Sequence, residues 1–291
     1  MQSRNFSSAL KKFFQCTGKI SPTFLLFCFV VKKFFCIFAT INYQLSTVKV
    51  LLQSILDFLL PRYCPVCKKR LQVEEKALCR NCLSDLPRTR QWLAPRNGNG
   101  VGEKIFYEGP FAKLFWTHLP ELTKAIAFLN FRPKSEVADI IYDSKYRNMK
   151  HTSVELGRIA AEEILPSGFF DDIDALAPVP LSKSRFRERG YNQSERIAHG
   201  ISIATGIPVK TEYVMRSIFK TSQTTLNKID RSDNVRGVFC LGVEAADMRG
   251  KHILIVDDVV TTGATTAACA KVVLQIPDTK VSVFALGHTS H

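Results

Sequence analysis

The residues best placed to do chemistry lie between Lys251 and Thr266. Two adjacent carboxylates, Asp257 and Asp258, follow the apolar run Ile253–Val256, and Val259 and Val260 lead on into Thr261, Thr262, Gly263, Ala264 and Thr265. The apolar run has the length and β-branched content of a buried parallel strand. The turn after it is small and rich in hydroxyls, and its glycine lets backbone approach a ligand closely. From Thr266 to Leu274 the chain is Ala-rich and compatible with a helix. A strand feeding such a turn at a helix N-terminus suits a phosphate, because free N–H groups and the helix dipole both favour anions. The carboxylates repel phosphate and need another task. Ribose hydroxyls, or a Mg²⁺ carried by the ligand, would suit them.

A second charged stretch lies upstream. The segment Ile173–Pro180 reads as a strand ending in prolines, and Leu181–Ser194 follows as a basic loop before a helix from Glu195 to about Ala204. Lys183, Arg185, Arg187 and Arg189 supply positive charge, Arg geometry suits bidentate phosphate contact, and Gly190 shapes the loop.

The third cluster is Cys64-Pro-Val-Cys67 and Cys79-Arg-Asn-Cys82, separated by eleven residues. Two such knuckles bring four thiolates to one Zn²⁺. With sulfur in every ligand position, the predicted role is structural. Two disulfides or redox dithiols would use the same residues. Cys16, Cys28, Cys36, Cys240 and Cys269 show no disulfide framework spacing, which favours zinc.

These residues need elements to position them, and the chain has room for them. Its 291 residues are 46% hydrophobic and 23% charged, enough for one sizeable domain and a small one. The net charge of +14 points weakly to anionic partners. Val48–Leu60 has helical spacing and is closed by Pro61. Pro87–Gly102 reads as a linker, Phe106–Phe131 as an aromatic-rich stretch suited to core packing, and Arg216–Gly237 as a loop able to act as a lid. Residues 1–47 are rich in Phe and Lys, and Lys32 and Lys33 interrupt their apolar runs. An interfacial segment, a signal anchor and sequence upstream of the true start all fit them, and the last is preferred.

The 251–266 stretch resembles the signature loop of the type I phosphoribosyltransferases, which bind phosphoribosyl pyrophosphate (PRPP). The resemblance implies an α/β fold with a parallel sheet flanked by helices. It also implies that Asp257 and Asp258 hold the ribose 2′- and 3′-hydroxyls and that Thr261–Thr265 cradles the 5-phosphate. From about Val48 onward the chain resembles the ComF family of competence-associated, phosphoribosyltransferase-like proteins with an N-terminal zinc ribbon. That likeness rests on the four cysteines, Lys145-Tyr-Arg, Pro178-Val-Pro, Arg189-Gly-Tyr-Asn-Gln193, Ser222-Gln223, Asn234-Val-Arg-Gly-Val-Phe239 and Val256–Thr265. Asn148 stands where the family's Lys-Tyr-Arg element continues with glycine.

The expected organisation is an extension (1–47), a helix with zinc ribbon (48–90), a linker with aromatic segment (91–134) and a phosphoribosyltransferase-like domain (135–291). The implied role is DNA uptake, with PRPP and Mg²⁺ as ligands. Single-stranded DNA, a helicase-like competence protein and a second copy of the chain are candidate partners. The expected setting is the cytoplasm, with peripheral contact at the inner membrane face left open. A non-catalytic DNA- or partner-binding protein, or a PRPP sensor, is the alternative to a pentosyl transferase.

Overall fold

The computed structural model of the chain describes residues 58–59, 61–93, 109–131, 150–216 and 238–289. The 1–47 extension, most of the Val48–Leu60 helix, residues 94–108, the Lys145–Met149 part of the Lys-Tyr-Arg element and the 217–237 part of the expected lid lie outside the described residues. Residues Arg62–His291 form one compact unit, separate from Met1–Pro61.

In chain order the elements of that unit begin with α1 (Arg80–Ser84), a short 3₁₀ turn (Gln91–Leu93), α2 (Pro110–Trp116), β1 (Lys124–Phe131) and α3 (Lys150–Ile164). Then come β2 (Ala175–Pro178), α4 (Lys183–Arg189), α5 (Gln193–Thr205), β3 (Val214–Arg216) and β4 (Phe239–Leu241). The last are β5 (His252–Val260), α6 (Ala264–Val273) and β6 (Lys280–Thr289). Four strands make a sheet in the order β1-β6-β5-β2, and every pairing in it is parallel. Strands β3 and β4 form a separate antiparallel pair.

The sheet is buried on both faces, which explains the uninterrupted apolar run in β5. Leu254 and Val256 pack with Leu156, Ala160, Ile197 and Ile201 of α3 and α5. Ile253 and Ile255 pack with Phe111 and Phe115 of α2 and with Ala267 and Ala270 of α6. A strand covered by helices on both sides has no solvent face to make it alternate. All four strands run the same way, so their carboxyl ends, and the loops that leave them, share one edge.

The expected linker is partly built into the fold. Thr89 donates its N–H to the Phe128 carbonyl at 2.9 Å, Asn130 to that of Pro87 at 2.8 Å, and Trp92 stacks on Phe128 with ring centroids 5.5 Å apart. Arg88 forks onto Glu163 of α3 with two 2.7 Å bonds and reaches the Leu83 carbonyl at 2.9 Å. The ribbon is thereby held to the sheet and to α3. Strand β1 pairs with β6, so the sheet draws on residues before 135, upstream of the expected domain start.

The amino ends of the strands are closed by a polar chain. Lys124 pairs with Asp172, whose other oxygen lies 3.0 Å from His252 Nδ1, and His252 Nε2 lies 2.8 Å from Ser282 Oγ. Burial, above all, holds the His252 pKa below its ordinary value. Ser282 is wholly buried, so this serine–histidine–aspartate series ties strands together and offers no nucleophile.

Helices α3 and α5 meet backbone to backbone. A Cβ on Gly200 would stand 2.0 Å from the Val154 carbonyl oxygen, and one on Gly157 2.3 Å from that of Ile197. This contact fixes α5, whose first turn reaches the carboxyl edge of the sheet. Gly200→Ala is expected to destabilise the chain by at least about 1–3 kcal/mol, read from urea unfolding midpoints, because no rotamer change can relieve a clash with backbone.

Candidate active site and metal centre

Strand β5 continues to Val260, four residues beyond the apolar run, so both aspartates lie within its carboxyl-terminal end. It is flanked there by β6, where Asp257 pairs with Ala285, and by β2, whose continuation Val179 donates its N–H to the Val256 carbonyl at 2.9 Å.

The two aspartates have different surroundings. Asp257 is 7% exposed. Its Oδ2 accepts from Thr266 Oγ1 of α6 at 2.6 Å, and its Oδ1 accepts from Ser194 Oγ of α5 at 3.3 Å and from the Asp258 N–H at 2.9 Å. Burial, and then the neighbouring Asp258 charge, raise its pKa to about 7. Asp258 is half-buried, and its Oδ1 accepts the Val259 N–H at 2.7 Å. Of the pair, Asp258 is therefore the more exposed carboxylate. Asp257 joins three elements.

The turn after β5 has the expected form. Thr261, Thr262, Ala264 and Thr265 are exposed, and Gly263 caps α6 at φ +77°. A Cβ there would also come within 3.1 Å of the Phe115 ring, so both conformation and packing require glycine. The first α-helical bond runs from Ala267 N to Gly263 O at 2.8 Å. The N–H groups of Ala264, Thr265 and Thr266 precede it, with a long 3.5 Å contact from Ala264 to Thr262 Oγ1. Such a terminus can receive phosphate oxygens. Val260 is buried and Val259 packs against the opposite core layer, so their side chains serve the fold.

The basic segment is a helix where a loop was expected. Ser182 caps it, accepting the Arg185 N–H at 3.3 Å, and Gly190 closes it at φ +73°. A serine before a run of Lys, Arg and Glu, with glycine after it, is a helix signal in its own right. The helix divides its charges. Lys183, Phe186 and Arg187 line a cavity of about 320 Å³ with Pro178, Pro180, Leu181 and Asn192. Arg185 and Arg189 do not line it. Arg185 lies near enough to Arg216 to disfavour that side chain's charge, after burial, the larger cause. Ser194, Thr266 and Phe115 were not singled out as site residues. Asn192 with Glu195 three residues on was the available signal for the first turn of α5, and Asn192 Oδ1 accepts the Ser194 N–H at 3.2 Å.

The four ribbon sulfurs lie within 4.8 Å of one another, and Cys67 and Cys79 are 3.6 Å apart. Tetrahedral zinc with bonds of about 2.3 Å requires sulfurs about 3.8 Å apart, so the set fits. Backbone turns hold the first knuckle, with Cys64 N to Lys69 O at 2.8 Å and Lys68 N to Cys64 O at 2.9 Å. The Lys69 backbone lowers the Cys67 thiol to about 7, while burial and the other three thiols push Cys82 up. A dication resolves this competition, since bound thiols deprotonate outright.

A family model described as a double zinc ribbon domain matches residues 55–104, where Cys64, Cys67, Cys79 and Cys82 are the only cysteines. DNA utilization protein YhgH of Escherichia coli is 28% identical over 228 residues, covering 78% of this chain and 90% of that protein. Competence protein ComFC of Bacillus subtilis is 22% identical over 212 residues, covering 73% of this chain and 71% of that one. Competence protein F of Haemophilus influenzae is 31% identical over 113 residues, 39% of this chain and 49% of that protein. Over most of its length the chain is similar to these competence and DNA utilization proteins, in line with its resemblance to the ComF family.

Among solved structures, an allosteric regulatory enzyme of purine biosynthesis is 19% identical with a TM-score of 0.36, covering 50% of this chain and 30% of that one. A purine phosphoribosyltransferase from Pyrococcus horikoshii Ot3 is 16% identical with a TM-score of 0.29, covering 47% of this chain and 82% of that one. The strand order and the helices packed on both faces of the sheet give the chain the expected α/β class, a parallel sheet flanked by helices, together with a four-cysteine ribbon.

The unequal aspartates give a pH signature. A carboxyl whose folded pKa is raised contributes stability that is present below its unfolded pKa, 3.8 for Asp257, and lost as pH rises through about 7. The stability of Asp257→Asn minus that of the ligand-free wild type should therefore increase with pH across this window, at up to about 1.4 kcal/mol per unit. Urea unfolding at several pH values reads this difference directly. A difference that does not change with pH would show that Asp257 is not held in this state.

Proposed function

We propose that this protein binds Mg²⁺–PRPP at the carboxyl edge of its sheet and transfers the phosphoribosyl group to an amine or base nitrogen. The observation that carries this reading is the end of β5. A half-buried carboxylate, Asp258, stands beside a glycine-capped helix start whose N–H groups precede the first helical bond. The anion fits the helix start, and polar hydroxyls or a hard cation fit the carboxylate.

In this reading the 5-phosphate lies on Thr261–Thr265, with the ribose hydroxyls at Asp258. Asp257 acts through its bonds to Thr266 and Ser194, which set the loop and the start of α5. Arg185, Arg189 and the backbone around Gly190 are the groups for pyrophosphate, by charge and by placement after β2. When the bond from the anomeric carbon to pyrophosphate breaks, its electron pair leaves with pyrophosphate and the sugar becomes cationic. The basic side chains stabilise the departing anion. The nucleophile's lone pair then forms the new bond at that carbon. Magnesium on the substrate phosphates would neutralise their charge, and Asp258 is the side chain able to meet it.

The names of the relatives, competence and DNA utilization, support a role in handling DNA. Exposed Lys68, Lys69, Arg70 and Arg80 around the ribbon would suit a polyanion, as would the net charge of +14.

Calorimetric titration of the zinc-loaded full chain with Mg²⁺–PRPP should give one site per chain. Asp258→Asn should weaken binding at least tenfold, and Thr265→Ala by less, since backbone N–H groups carry most of the phosphate contact. No heat from a folded wild type would overturn the reading.

A further inference from the structure

Beyond the proposed donor site, we infer that the chain carries a second small-molecule site for a nucleotide, in the cavity between α4, the start of α5 and the outer edge of β2. The cavity measures about 320 Å³ and is lined by Pro178, Pro180, Leu181, Phe186 and the polar groups named below. That size is at the lower end of the range that holds small ligands, about 300–1,000 Å³, and suits one ring system rather than a dinucleotide.

The lining supplies each part of a nucleotide with a partner. Phe186 is 50% exposed although large and apolar, and a planar ring could stack on it beside the two prolines and Leu181. Lys183 and Arg187 are exposed and share the Phe186 face of α4, since positions i, i+3 and i+4 of a helix lie together. They bring two cations to the same cavity, which calls for phosphate. Glu195 stands on the α5 wall and Thr211 also lines the cavity, so an exocyclic amine on the ring would meet an acceptor. The Asn192 amide is already engaged, donating to the Val179 carbonyl at 3.0 Å and accepting from Ser194 N, so it shapes the wall.

The position separates this site from the donor loop. Neither aspartate and no residue of Thr261–Thr265 lines the cavity. Val209 bridges to Leu176 of β2 two residues before Thr211, which places Thr211 beside the edge of β2 that does not pair with β5. Helix α4 therefore serves two sites through two faces. Lys183 and Arg187 line the cavity, whereas Arg185 and Arg189, proposed above for the donor pyrophosphate, do not.

The test is equilibrium dialysis of the zinc-loaded full chain against adenosine monophosphate, adenosine and inorganic phosphate. Adenosine monophosphate should bind at least tenfold more tightly than either of the others. Phe186→Ala and Arg187→Ala alter exposed side chains and should spare the fold, yet each should weaken binding at least tenfold. Asp258→Asn should leave it within twofold, whether or not PRPP binds at the other site. No binding of adenosine monophosphate by the wild type would overturn the inference. So would binding that survives Phe186→Ala but is lost in Asp258→Asn, because the nucleotide phosphate would then occupy the donor loop. Adenosine binding as tightly as its monophosphate would also overturn it.

Discussion

A single buried carboxyl holds the carboxyl edge of the sheet together. Asp257 takes hydrogen bonds from Thr266 at the start of α6, from Ser194 at the start of α5 and from the backbone of Asp258. These are the elements that lead into the turn proposed for phosphate, the helix after the basic segment and the more exposed carboxylate. Burying a carboxyl is costly unless its oxygens are satisfied or it keeps a proton. Here it is hydrogen-bonded and its pKa is raised. The arrangement ties the three elements to one another in advance of any ligand, at some expense to stability near neutral pH.

The rest of the structure supports that point from a distance. The glycine contact between α3 and α5 places Ser194, and Phe115 beneath Gly263 places the turn. The polar chain from Lys124 to Ser282 closes the opposite ends of the strands, so the sheet is tied at one edge and functional at the other. The ribbon joins this frame through Arg88 and Glu163 and through Trp92 on Phe128.

The most legible parts of the sequence were those where local chemistry decides structure. Apolar β5, the Thr-Thr-Gly-Ala-Thr turn and the paired cysteine knuckles each carry their constraint within a few residues. What was less legible depends on residues distant in sequence. Nothing near Asp257 says that Ser194 will reach it, so two neighbouring aspartates read as equivalent although the fold buries one and opens the other. The basic stretch read as a loop because its charges drew notice before its caps, Ser182 and Gly190. Pro87–Leu93 read as linker because its order comes from Phe128 and Glu163. The cavity beside β2 has no signature at all, since its walls come from three separated segments.

The account turns on the end of β5 as a phosphate site made in advance by the Asp257 knot. Amide chemical shifts of the ¹⁵N-labelled full chain, followed during titration with Mg²⁺–PRPP, test this most directly. The account predicts that Gly263, Ala264, Thr265 and Thr266 shift most and saturate together with Asp258, while Cys64 to Cys82 stay in place. Shifts confined to the ribbon, with the 258–266 amides unmoved, would contradict it.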